Sequence, residues 1–194
     1  MFPLVAFACI LNAFGQNADP AASETMSPGQ ISSYREQAIK SIFDLETYLQ
    51  IISNKKKSLP QRNMSLDLAI DLFQSDTVTV ETSSLKSPVI HTYTIRLYLN
   101  KLKLLPYTSV KIIWYKVYLS ETFTLGADGN YYGTATFLQR FEGKSNNEMG
   151  SYKDVTQKKI QIILKKVDGF NGPERNIRFI LKLGDIKVEE TPHV

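Results

Sequence analysis

From residue 109 onward the chain is written as strands with one apolar face, and this most constrains what it can fold into. In "YYGTATFLQRFEG" (131–143) Tyr131, Gly133, Ala135, Phe137, Gln139 and Phe141 share one parity, while Tyr132, Thr134, Thr136, Leu138, Arg140 and Glu142 share the other. The first set is mainly apolar, as a half-buried antiparallel strand requires. Asp128-Gly129-Asn130 just before it is a tight-turn signal. "KKIQIILKKV" sets Ile160, Ile162 and Leu164 on one face, and "NIRFILKLGDIKV" does the same with Ile177, Phe179, Leu181 and Leu183. "DGFNGPE" joins these two as a turn, and "GKSNNEMGSYKD" reads as a polar connection. "SVKIIWYKVYLS" (109–120) is apolar on both faces, which predicts a central strand, and 121–126 a short one.

A sheet with one apolar face must be covered, and the N-terminal half supplies the cover. Ser27-Pro28 reads as a cap and first helical position. Ile31, Tyr34, Ala38, Ile42, Leu45, Leu49 and Ile52 then recur every three or four residues, the stripe of a long amphipathic helix. "NKKKSLPQRN" ends it, and a second helix is expected over 62–74 with Leu66, Ala69, Ile70 and Phe73 on one side. "TVTVETS" (77–83) is a strand by alternation and β-branching. In "HTYTIRLYLNKLKLLPY" the start favours a strand, but Ile95, Tyr98, Leu99, Leu102 and Leu105 predict a helix over 93–105 that Pro106 stops. The expected fold class is α+β: a long N-terminal helix and one or two shorter helices packed in a curved, cone-like antiparallel sheet, as a single domain over 28–190.

The N-terminus is different in kind. Residues 2–14 of "MFPLVAFACILNAFGQNADP" carry no charge and are almost wholly apolar. That is shorter than the about 20 residues a bilayer span needs, but it fits the apolar region of a secretory signal with a cut after Gly15. The expectation is a signal peptide at 1–15, a flexible leader at 16–27, and an exported protein, periplasmic or associated with the cell envelope, without a stable transmembrane span. The positive residues that usually open such a signal are missing. Ala6-Phe7-Ala8-Cys9 resembles a lipobox, yet Ile10 and Leu11 prolong the apolar run where a lipoprotein turns polar. Cys9 is the single cysteine, so a chain cut after Gly15 has no disulfide and no thiol chemistry.

The helix and strand order resembles the nuclear transport factor 2-like superfamily, whose cone packs helices into a curved sheet. The stretches that carry the resemblance are "YREQAIKSIFDLETYLQIISN", "LAIDLFQSDTVTVETSS", "IRLYLNKLKLL" and "YYGTATFLQRFEGK…YKDVTQKKIQIIL". They are similar to exported envelope domains of that class. The resemblance implies a fold and leaves activity open, because the superfamily holds isomerases, dehydratases and many non-catalytic binding domains.

Its catalytic members use a His or Asp base with a Tyr or Asp partner inside the cone, and neither histidine here suits that role. His193 is penultimate, and His91 has no recognisable acidic partner. No metal-ligand spacing, nucleophile elbow or phosphate-binding glycine loop is present, so no catalytic residue, cofactor or metal is assigned. A net charge of +4 arises from 23 basic residues scattered among 19 acidic ones, and the longest basic run is Lys55-Lys56-Lys57; nucleic acid is not expected. Candidate ligand-binding residues are Gln139, an amide on an apolar parity, with Tyr131, Tyr98 and Tyr115. Asp128 and Asp154 read more simply as turn or cap residues.

Three functions fit. The first is an exported, non-catalytic envelope domain that binds a small apolar ligand or a protein partner. The second is a small acid–base enzyme of the isomerase or dehydratase kind. An Asp or His on the concave face within hydrogen-bond reach of a Tyr would favour it. The third is an assembly module, a homodimer formed through the outer sheet face, where Leu138, Ile163 and Ile180 fall.

Overall fold

A computed structural model describes residues 26–85, 87–145, 150–171 and 174–190. The expected signal segment and nearly all of the leader lie outside the described residues.

Helix α1 (Pro28–Ser53) starts with a capping box in which Ser27 Oγ accepts from the Gln30 amide and Gln30 Oε1 accepts from the Ser27 amide. Its buried stripe is Ala38, Ile42, Leu45, Leu49 and Ile52, with Ile31 and Tyr34 packed on the same core. Helix α2 (Leu59–Asp71) begins three residues earlier than the periodicity suggests, because Ser58 and Gln61 form a second capping box with Pro60 in the first turn. Thr94 sits at the N-cap position of α3 (Ile95–Lys103) without a side-chain capping bond, and the helix buries Ile95, Leu99 and Leu102.

Among the described residues seven strands form one curved sheet: β1 (Thr79–Ser84), β2 (Ser87–Thr94), β3 (Ser109–Leu119), β4 (Thr124–Leu125), β5 (Tyr131–Lys144), β6 (Ser151–Asn171) and β7 (Glu174–Glu190). Their order is β2-β1-β7-β6-β5-β3, with β4 paired to β5. The three helices pack on its concave face, so the cone-like α+β architecture is as expected. Two corrections concern the sheet. It is mixed, because β1 meets β7 in parallel at Val80↔Ile186 and Phe73 bridges Leu183 in the same sense. And β3 is an edge strand. Its apolar residues on both parities come from a bulge between Tyr115 and Tyr118, where Lys116 takes φ 52°. The bulge exchanges the faces. Ile112 and Trp114 point to the core before it, Val117 and Leu119 after it, and Tyr118 is left 66% exposed.

β6 is the longest strand and begins at Ser151, inside the stretch that reads as a polar connection. β7 carries an extra residue against it between Gln157 and Lys158 and again between Ile160 and Ile162. Such bulges add twist and bend to a sheet. At the β1–β7 seam, side chains replace ladder bonds on both sides of the parallel contact. Thr79 N donates to Asp185 Oδ1 at 2.8 Å and Val188 N to Glu81 Oε2 at 2.9 Å. The hairpin turn before β5 forms as read, with Gly129 at φ 77°. Among the described residues no helix is long and apolar enough to cross a membrane.

Candidate functional site

Between α3, the far end of β1 and the concave faces of β5 and β6 lies a cavity of about 290 Å³, open to solvent on one side. One wall is apolar and aromatic: Leu102, Leu105, Tyr98, Tyr107 and Phe141. Tyr107 is held by its approach to β5, where a Cβ on Gly143 would come within 2.8 Å of three ring atoms. Only a residue without a side chain lets the ring lie there.

The polar part of the lining lies beside Phe141 on the neighbouring strand and is built by strand parity. Tyr152, Asp154, Thr156 and Lys158 alternate along β6 on the face that continues as Ile160, Ile162 and Leu164. Asp154 is 6% exposed and Lys158 3% exposed. Tyr152 Oη donates to Asp154 Oδ2 at 2.5 Å and accepts from Leu85 N at 3.1 Å. Asp154 Oδ1 meets no donor among the described residues. Lys158 reaches β1 beyond the seam and donates to the Glu81 carbonyl at 3.0 Å. Among the described residues no carboxylate oxygen comes within 4.0 Å of its Nζ.

Burial decides how these groups ionise. It pushes the Asp154 carboxyl above the usual carboxylate range, against the pull of the Tyr152 hydroxyl and the Lys158 charge. Burial, reinforced by the bond to Asp154, raises the Tyr152 phenol to about 12. The Tyr98 phenol is likewise pushed up to about 12 by burial. Burial drives the Lys158 ammonium down to about 8, although the charges of Asp154 and Glu81 oppose it. An acid held by a phenol and an amine whose ammonium is lowered to about 8 thus share one cavity. Such a set can move a proton between a bound molecule and the protein.

Of the residues singled out from sequence, Gln139 and Tyr98 line this cavity. Gln139 is 9% exposed, and Trp114 Nε1 donates to its Oε1 at 3.1 Å across the β3–β5 pair. The Trp114 ring stacks on Phe137 with centroids 4.3 Å apart and closes the core behind the amide. The structure places Tyr131 and Tyr115 elsewhere. Tyr131 is buried at the far end of β5, edge-on to Phe179 at 5.3 Å. Tyr115 has the parity opposite to Trp114, so it lies on the outer face, with the Arg140 guanidinium 6.0 Å from its ring. His91 is exposed on β2 and stacked beside Tyr93. Asp128 belongs to its turn, accepting from Asn130 and from Tyr132 Oη at 2.6 Å.

Asp154 is no cap but a buried mid-strand group, and Lys158 is not suggested by the alternation reading at all. The sequence does carry a signal for both: extending the parity of Ile160 and Ile162 backward lands on Lys158, Thr156, Asp154 and Tyr152. Four polar residues in succession on an inward-facing parity mark a cavity rather than a core. Among the described residues no three His, Cys, Asp or Glu side chains converge as a metal site would need.

No family model matches the chain, and no curated protein matches it. Among solved structures, one described as "Putative Scytalone Dehydratase from Novosphingobium aromaticivorans DSM 12444" aligns with a TM-score of 0.45 at 13% identity, covering 86% of this chain and 93% of that one. A likeness at that level carries no argument about what this chain does.

Proposed function

We propose that the cavity binds a small, largely apolar carbonyl compound and moves a proton on it, in the manner of an isomerase or dehydratase. The observation that carries this reading is the bond of the half-buried Tyr152 to the buried Asp154 on the concave wall of a solvent-open cavity. Asp154 is the group that takes and returns the proton. Its burial makes it a stronger base than a surface carboxylate, and Oδ1 is the oxygen that meets the substrate. Tyr152 holds the carboxyl in place through Oδ2. The aromatic wall supplies the apolar contact that most small-molecule sites use for affinity.

The test is solvent deuterium exchange at the α-carbon of simple cyclic ketones, followed by NMR with the folded protein in D2O. Exchange above the buffer rate is expected, with Asp154→Asn reducing it by about 10²–10⁴-fold. Ketones that bind without any exchange would defeat the catalytic reading. They would favour instead the plainer proposal, a non-catalytic envelope domain holding an apolar ligand or a protein partner. That alternative is motivated by the apolar stretch at residues 2–14, and export would be read by fractionating cells that express the full chain. Pairing of two copies through the outer face, where Leu138 is half-buried and Ile180 is 39% exposed, although Ile163 is buried at 1% and so offers no exposed surface, is a third proposal that sedimentation would decide.

A further inference from the structure

We propose that Lys158 is a nucleophile that forms a covalent imine with an aldehyde or ketone entering the cavity. The proposal rests on reading the cavity as a small-molecule site but does not need Asp154 to act as a base. Three observations carry it. Lys158 is 3% exposed, and it lines the cavity, so a reagent meets its amine there. A neutral hydrogen bond to the Glu81 carbonyl holds Nζ, and no carboxylate lies within ion-pair distance among the described residues. A buried ammonium without a close counter-ion is costly, and the cost falls away when the nitrogen is neutral. The third is the acid on the same wall: the Tyr152 hydroxyl and the Asp154 carboxyl stand on the same face of β6, where a proton can be handed to an oxygen leaving the bound molecule. Desolvation makes the free amine that such chemistry requires easier to reach here than on an exposed lysine, and the lowered ammonium agrees with this.

The step balances without an oxidant or reductant. The amine lone pair forms the C–N bond while the carbonyl π pair moves to oxygen, which takes a proton, and the nitrogen releases one. The resulting carbinolamine then loses its hydroxyl, protonated as water, as the nitrogen lone pair forms C=N. Hydrolysis reverses the sequence and returns the free lysine.

The experiment uses the full chain, benzaldehyde and sodium cyanoborohydride, which reduces an imine to a stable secondary amine. Benzaldehyde has no α-hydrogen, so its capture is independent of the proton-transfer reading and the two can fail separately. After short exposure, peptide mapping by mass spectrometry is expected to find the first adduct on Lys158, formed about tenfold faster than on exposed lysines such as Lys40. Adducts on exposed lysines with Lys158 recovered unmodified would overturn the proposal. Because the map is read on the unaltered protein, it does not depend on a variant folding. Lys158→Met, where it folds, is expected to lose the fast adduct and keep the slow ones; a fast adduct persisting at the cavity would overturn the assignment to this residue.

Discussion

Replacing Tyr152 by Phe removes one hydroxyl and leaves the ring, so it isolates what that hydroxyl does for Asp154. The phenol is the one donor to the Asp154 carboxyl among the described residues, at 2.5 Å. A hydrogen bond to a charged group contributes about 1.5–3 kcal/mol, and the open side of the cavity argues for the lower end through solvent screening. At about 1.4 kcal/mol per pH unit, the Asp154 midpoint should rise by about one unit. The assay is a carbon-13 NMR titration of the Asp154 carboxyl in Tyr152→Phe, with Tyr98→Phe as a control that removes another cavity phenol. Stability should follow with a definite sign. Asp154 already titrates above the ordinary carboxylate range when folded. The fold therefore holds the proton over a window where the unfolded chain has lost it, and stability falls as pH rises through that window. Tyr152→Phe extends the window upward, so its stability deficit should be larger near neutrality than at about pH 3, where both states are protonated. An Asp154 midpoint that stays put or falls, or one that moves equally in Tyr98→Phe, would refute the reasoning.

Lys158→Met should be more stable than the parent at neutral pH by about 2 kcal/mol, the relieved burial of a charge less the lost bond to Glu81. Between about 8 and the ordinary 10.5 the unfolded chain keeps a proton the fold has released. Parent stability thus climbs across that window, and denaturation at several pH values should show the variant's advantage closing there. An advantage that does not vary with pH would count against a depressed ammonium. Phe137→Ala removes a ring that is fully buried and stacked on Trp114, and should cost about 3–5 kcal/mol in urea denaturation. Gly143→Ala drives a methyl into the Tyr107 ring; about 1–3 kcal/mol of lost stability is expected, with weaker ketone binding because that ring lines the cavity.

How far the sequence reveals this molecule varies from element to element for physical reasons. The buried stripe of α1 is legible because a helix repeats its contacts every turn and Ser27-Pro28 announces the start. The inward parity of β5 is legible because β5 runs unbroken opposite β6 from Tyr131 to Lys144. The edge position of β3 is not, since one left-handed residue, Lys116, exchanges its faces and imitates a strand buried on both sides. The early start of α2 escapes the periodicity because Leu59 in its first turn stays exposed, and the Ser58–Gln61 capping box sets the boundary. The polar wall escapes a local reading for a different reason. Its meaning depends on β1: Lys158 ends on Glu81, 77 residues away, and Tyr152 on Leu85, 67 residues away. Nothing within a strand's length of Asp154 says that a helix and a distant strand will close over it.

That distance bears on when the cavity comes into being. The β5–β6–β7 meander pairs neighbours in sequence and can form early, whereas the seam to β1 joins Thr79 to Asp185 across 106 residues. Closing so long a loop is entropically expensive and slow relative to local pairing. The polar wall and its partners are therefore expected to assemble after that meander and to open before it in the native state. A molecule bound between them would favour the closed arrangement by mass action and work as a clasp on the seam. Loosening that seam far from the ligand, as Asp185→Ala would by freeing the Thr79 amide, should then speed amide exchange in β1 and weaken binding together, although Asp185 lies outside the cavity lining.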